Sequence, residues 1–199
     1  MELLATLGRT LGFSLAAGVN LYATVAILGL ASHYHWADLP AQFQVFDNPY
    51  IIAAALVMYA IEFVADKIPW FDSVWDAVHT FIRPLGGALI AVAAVGDASP
   101  AIRTLAALLG GTVAASSHLT KAGTRAVANT SPEPFSNWVL SLGEDGLVVG
   151  LGLLTLGHPL IALVVALVLL VLIVLFARLL LRGARRLFGR RAADAQPTG

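Results

Sequence analysis

Within one stretch of the chain, Glu62, Asp66, Asp72, Asp76, His79 and Arg83 recur at helical spacing. Glu62 and Asp66 are four residues apart and share a helix face. Beyond the break expected at Pro69, Asp72, Asp76, His79 and Arg83 fall at offsets 0, 4, 7 and 11, one stripe of a second helix. Two helices meeting at this turn would bring four carboxylates and an imidazole into one pocket. Carboxylates beside a histidine suit a hard or borderline divalent cation, so Glu62, Asp66, Asp76 and His79 form a candidate metal set; the same groups could instead pass protons. A structural alternative stands beside this one. Asp72 or Ser73 would cap the second helix, with Ser73 and Asp76 as a capping box, Arg83 would pair with Asp76, and Trp70 and Trp75 would be interfacial belt residues. For Asp72 alone the cap is the simpler reading.

A second polar constellation lies further along. His118, Lys121 and Arg125 form another helical stripe, with Ser117 and Asn129 near it, followed by the Pro-rich turn 130–134 and then Glu144 and Asp145. Lys121 and Arg125 could be snorkelling anchors. Glu144 and Asp145 are harder to dismiss, because an ionised carboxylate at the centre of a membrane helix costs roughly 2.5–3.5 kcal/mol even on the lenient insertion scale. At least one should face the interior and meet Lys121 or Arg125. Asn20 sits in the middle of an apolar stretch, where its amide needs a neighbouring helix or a bound solute.

These residues are held by a chain that is 58% hydrophobic and only 12% charged over 199 residues, with a mean hydropathy of +0.82. Soluble proteins carry roughly 25% charged residues, so the apolar excess should face lipid. The 12 cations balance the 12 anions, which argues against nucleic-acid binding. The absence of cysteine excludes disulfides, thiolate metal sites and thiol nucleophiles. Hydropathy predicts six helical spans: 11–31, about 49–65, about 75–96, 102 to about 119, about 137–156, and 159–177. The first is too long for a signal peptide and lacks a basic leader.

Six of the 12 cations, from Arg178 to Arg191, lie near the C-terminal end and should remain in the cytoplasm. An even span count then places both termini inside. The loop 33–48, which has no Lys or Arg, falls outside, and Lys67, Lys121 and Arg125 fall inside, in agreement with that orientation; only Arg103 falls on the outer side. The expected fold is therefore an all-α integral membrane protein, a six-helix transmembrane bundle over 1–182, followed by a basic, disordered cytoplasmic tail over 183–199. Three spans per half would allow two inverted three-helix halves, although direct self-similarity is weak.

Four strings, Gly18 to Tyr22, Glu62 to Pro69, Asp72 to Asp76 and His79 to Pro84, resemble the signature of an uncharacterised bacterial integral-membrane family, the domain-of-unknown-function 4126 family. The resemblance covers roughly 11–175 and implies a bacterial inner-membrane location, but it transfers no activity. The string from Glu62 to Lys67 is also similar to the Glu-x-Gly-Asp-Lys motif of cation exporters. Here the acids are four apart rather than three, Ala65 replaces the glycine and no second copy exists, so no residue roles carry over. Polar groups in both halves favour a small transporter or channel for an ion (divalent cation or proton) or a small solute. An intramembrane enzyme acting on a lipid or phosphate-bearing substrate and an accessory structural subunit are the alternatives. The partners implied are the lipid bilayer and a small solute or ion, with a homo-oligomer left open.

Overall fold

A computed structural model describes residues 1–130 and 135–194; the Pro-rich turn at 131–134 lies outside the described residues, as does 195–199. The elements are all helical: α1 (Glu2–Val19), α2 (Leu21–His33), a 3-10 helix (Ala41–Phe46), α3 (Pro49–Ala65), α4 (Pro69–Ala94), α5 (Pro100–Ala128), α6 (Phe135–Gly157) and α7 (Pro159–Asp194). Proline opens α3, α4, α5 and α7, where its fixed φ suits the first turn and its missing N–H costs nothing. Asn48 caps α3 by accepting from the Tyr50 amide, and Ser99 caps α5 by accepting from the Ile102 amide.

The first predicted span is not one helix. Asn20 adopts an extended conformation (φ −147°, ψ 101°), ending α1 and capping α2 by accepting from the Ala23 N–H at 2.9 Å. The expected partner on a neighbouring helix is not found: the side-chain oxygen accepts from the backbone three residues on, and the Asn20 amide nitrogen, though buried, has no hydrogen-bond partner among the described residues. The first helical half, α1, is buried on every side from Thr10 to Val19 and touches α4, α5, α6 and α7. It is the central pillar of the bundle.

Close packing around that pillar depends on glycine. A Cβ on Gly110 of α5 would lie 2.7 Å from the Gly87 carbonyl oxygen of α4 and 2.8 Å from the Ser14 hydroxyl of α1. Only a residue without a side chain lets the three backbones approach so closely. At one end the 3-10 helix tucks Phe43 into the core against Phe13, with ring centroids 5.9 Å apart.

The outside of the bundle is apolar and the inside is partly charged. Phe81, Leu85 and Leu89 on α4 and Leu105 and Leu108 on α5 are exposed, whereas Asp76, His79 and Arg83 are buried. That polarity is the inverse of a soluble protein's. Three helical segments are long and apolar enough to cross a membrane, Pro69–Ala94, Phe135–Gly157 and Pro159–Leu179; α2 and α3 are apolar but shorter, 13 and 17 residues. The third predicted span begins six residues earlier than expected, at Pro69. The last helix runs on to Asp194, so the chain from 183 to 194 is helical where the sequence reading expects disorder.

Candidate functional site

The early start of α4 decides the role of its acids. Ile68 is the N-cap residue and makes no side-chain cap bond, so neither Asp72 nor Ser73 caps the helix. Asp72 instead accepts from the Asn129 side-chain amide at 2.9 Å, and Ser73 donates to the Pro69 carbonyl. Asp72, Asp76, His79 and Arg83 all lie on the buried face of α4, on the stripe that their spacing predicts. Ser117, His118, Lys121 and Arg125 lie on the buried face of α5.

These two faces pack against each other and the two polar constellations become one. Arg83, with no exposure, donates from Nη2 to Glu62 Oε1 at 2.8 Å and from Nη1 to the Gly18 carbonyl at 3.3 Å. The break at Asn20 explains the second bond, because it leaves carbonyls at the C-terminal end of α1 without helical partners. Nη1 also lies 3.4 Å from Asp76 Oδ1, within ion-pair range but without a hydrogen bond. Lys121 Nζ reaches Asp66 Oδ2 at 3.0 Å, Glu62 Oε1 at 3.2 Å and Glu144 Oε2 at 3.5 Å. Arg125 forks onto Glu144 (Nη2 to Oε2, 2.6 Å) and also donates to Asp66, from Nη2 to Oδ2 at 3.2 Å and from Nη1 to the carbonyl at 2.7 Å. Glu144 therefore takes both basic partners. Asp145, on the neighbouring side of α6, turns toward Tyr59 and Lys67. Lys67 sits in the turn between α3 and α4, where burial holds its ammonium below the ordinary lysine value despite the opposing pull of Asp145 and Asp66.

The histidines are fully committed. His79 donates from Nδ1 to the Trp75 carbonyl (2.7 Å), which leaves Nε2 to accept from the Tyr22 hydroxyl (2.9 Å). Thr80 spends its hydroxyl proton on the Asp76 carbonyl (3.0 Å) and so accepts from His118 Nε2 at 3.1 Å. His118 Nδ1 then faces Arg83 Nη1 at 2.8 Å as an acceptor, because a guanidinium can only donate. The arginine donor thereby fixes His118 as a neutral ring.

The candidate metal set is not assembled. Among the described residues no three carboxylate or imidazole groups converge to hold a metal ion. The physical reason is that three cations sit where a metal would: Glu62, Asp66 and Asp76 face Arg83, Lys121 and Arg125, and the nitrogens of His79 are spent on Trp75 and Tyr22. Sequence reasoning missed Thr80 and Asn137, which bring an acceptor to His118 and a carbonyl to Arg125 (3.4 Å), and gave Tyr22 no role. No charge marked them; all three are neutral polar residues.

The network holds more acid than base. Four carboxylates (Glu62, Asp66, Asp76 and Glu144) face three cations, and adding the buried Asp72 and Asp145 together with Lys67, which lies near Asp145, raises the surplus from one to two. Several buried carboxylate oxygens, Glu62 Oε2, Asp66 Oδ1 and Asp72 Oδ1 among them, have no hydrogen-bond partner among the described residues.

Among the described residues the chain is an all-helical bundle with an apolar exterior, a charged interior and three helices long and apolar enough to cross a membrane, a class of fold compatible with a membrane protein. Within that class the chain belongs to the family described as domain of unknown function (DUF4126), whose model matches residues 7–179. No curated protein and no solved structure matches it significantly.

Proposed function

We propose that this protein is a small proton-coupled transporter of the bacterial inner membrane, with the buried network of α3, α4, α5 and α6 as its coupling site. The carrying observation is the surplus of buried carboxylates over cations. A purely structural network gains nothing from an unbalanced charge in a low-dielectric interior, because burying an unpaired carboxylate is costly. The surplus is neutralised by a proton or by a cationic solute, and exchange of one for the other is coupled transport. The histidines speak against imidazole-based catalysis, since their four ring nitrogens are already hydrogen-bonded and leave neither ring free as a general base.

Glu62→Gln separates this reading from a structural one. Its remaining carbonyl oxygen still accepts from Arg83 and Lys121, so the fold should survive while the network loses one of its surplus charges at the centre. In vesicles holding a pH-sensitive dye, wild-type protein should carry protons in response to a membrane potential or to a panel of small solutes, and the variant should not. Wild-type flux equal to that of protein-free vesicles under every condition would remove the proposal.

The orientation belongs to the same proposal, with the expected topology corrected at its start: α1 and α2 turn back on each other at Asn20, so that Arg9 donates to the Asp38 carbonyl (3.2 Å) and Phe13 packs on Phe43. This puts the N-terminal end beside the outer loop after α2 and leaves the C-terminal end in the cytoplasm. It is supported by the basic residues Lys67, Lys121 and Arg125 at one end of the bundle and the uncharged-to-acidic loop after α2 at the other. Cysteine introduced at Asp38 should react with an impermeant reagent in intact cells, and cysteine at Ala192 should not. The opposite labelling pattern would invert the assignment.

A further inference from the structure

A cavity of about 480 Å³ opens beside the network, between α1, α5, α6 and α7. It exists because α5 and α6, though consecutive, scarcely touch each other. Gly143 widens the gap: among the described residues nothing lies within 4 Å of the position its Cβ would occupy. Leu15 and Val19 of α1, Leu147 of α6, and Leu169 and Ile173 of α7 make the walls apolar. Such a volume lies within the range of sites for drug-sized ligands, roughly 300–1,000 Å³.

The floor is polar, and its chemistry is one-sided. Ser117, Thr120 and Thr124 line it, yet each has spent its hydroxyl proton on a backbone carbonyl, of Leu15, Ser116 and Thr120 respectively, each at 2.9 Å. They offer the cavity lone pairs rather than protons. Lys121 also lines the floor, but its ammonium has three protons and three carboxylates within 3.5 Å, and its side chain is only 2% exposed. No proton remains for an anion. Glu144 is the more open of the two, at 16% side-chain exposure, and a carboxylate forked by one arginine keeps further acceptor sites. The carboxylate surplus behind it adds a negative field.

We infer that this cavity binds a lipophilic ammonium: a protonated amine whose charged head meets Glu144 and the three hydroxyl oxygens while its apolar body fills the space between α1, α6 and α7. This deepens the transport reading and rests on it, by naming the class of solute carried. An anionic amphiphile is disfavoured by the same floor, since it would meet a carboxylate and lone pairs. An ammonium beside Glu144 neutralises the surplus that a proton otherwise neutralises, so the two compete, and outward movement of one with inward movement of the other follows.

Three probes share one apolar cage and differ only in the head group: protonated 1-aminoadamantane, neutral 1-adamantanol and adamantane-1-carboxylate. Titration calorimetry on the full chain in lipid nanodiscs, with empty nanodiscs subtracted, should show binding of the amine and at least about tenfold weaker binding of the carboxylate. Glu144→Gln should weaken the amine and leave the alcohol unchanged. Gly143→Phe, which enters open space and so leaves the melting temperature intact, should weaken the amine by about tenfold or more by filling the cavity. Amine uptake no greater than that of empty nanodiscs would show a cavity filled by lipid tails and overturn the inference. Carboxylate binding as tight as the amine's, or wild-type binding in Gly143→Phe, would overturn it equally. Proton flux in vesicles without amine binding would sink this site and spare the transporter; amine binding without any flux would do the reverse.

Discussion

Arg83→Ala should yield little or no folded protein. The guanidinium is wholly buried and serves Glu62, the Gly18 carbonyl, His118 Nδ1 and, by charge, Asp76. Its removal strands one carboxylate fully and another in part, and leaves an imidazole lone pair and a helix-terminal carbonyl without donors. Breaking a buried pair from one side costs about 3–5 kcal/mol, while the whole stability of a domain is about 5–15 kcal/mol. Arg83→Lys keeps the charge but cannot reach Glu62, Gly18 and His118 together, and should fall between. Removing Glu62, which keeps only Lys121, as well, in Arg83→Ala with Glu62→Ala, should recover part of the loss, since Arg83 and Glu62 share one interaction. Melting followed by size-exclusion of detergent-solubilised protein reads all four. An Arg83→Ala melting temperature equal to that of wild type would mean that Arg83 does not hold α4 to α1 and α3.

What made Arg83 readable in the sequence was its place on a stripe. Period-3.6 spacing put Asp72, Asp76, His79 and Arg83 on one face of α4, and His118, Lys121 and Arg125 on one face of α5, and the structure buries both faces. Spacing says nothing about which stripes meet. Two separate constellations were expected, but Gly87 and Gly110 let α4 and α5 approach so closely that the stripes interlock and the cations occupy the positions a metal would need. The break in the first span was equally hidden. Asn20 reads as one polar residue in an apolar run, and only the folded chain shows that its carbonyl oxygen replaces a helical acceptor for Ala23 and that Arg83 covers the carbonyl exposed by the break. His79 shows the same limit of spacing. Its ligand-like neighbours in sequence are acids, but its neighbours in space are the Tyr22 hydroxyl and the Trp75 carbonyl and ring, the ring stacked at 4.6 Å.

The second large effect belongs to Arg125. It joins three elements: the end of α3 through the Asp66 carboxylate and carbonyl, α6 through Glu144 and the Asn137 carbonyl, and its own helix α5. The α5–α6 pair has little direct contact and a cavity in between, so this side chain and Lys121 are what bridge the gap. Arg125→Ala should therefore destabilise by about 3–5 kcal/mol, and Arg125→Lys should recover only part, having no fork to offer. Glu144→Gln should be far milder, about 1–2 kcal/mol, because its amide oxygen still accepts from Arg125 and its side chain is already partly open to the cavity. The asymmetry is the informative outcome. Paired residues that served only to hold each other would show similar losses from either side. An arginine that organises three acceptors, beside a glutamate that also faces a cavity, should show a large loss on one side and a small one on the other. The double variant Arg125→Ala with Glu144→Ala should lose less than the sum of its singles, by about 0.5–3 kcal/mol. If the losses are instead equal and additive, Glu144 is an ordinary structural partner, and the case for it as the acceptor at the cavity floor falls with that result.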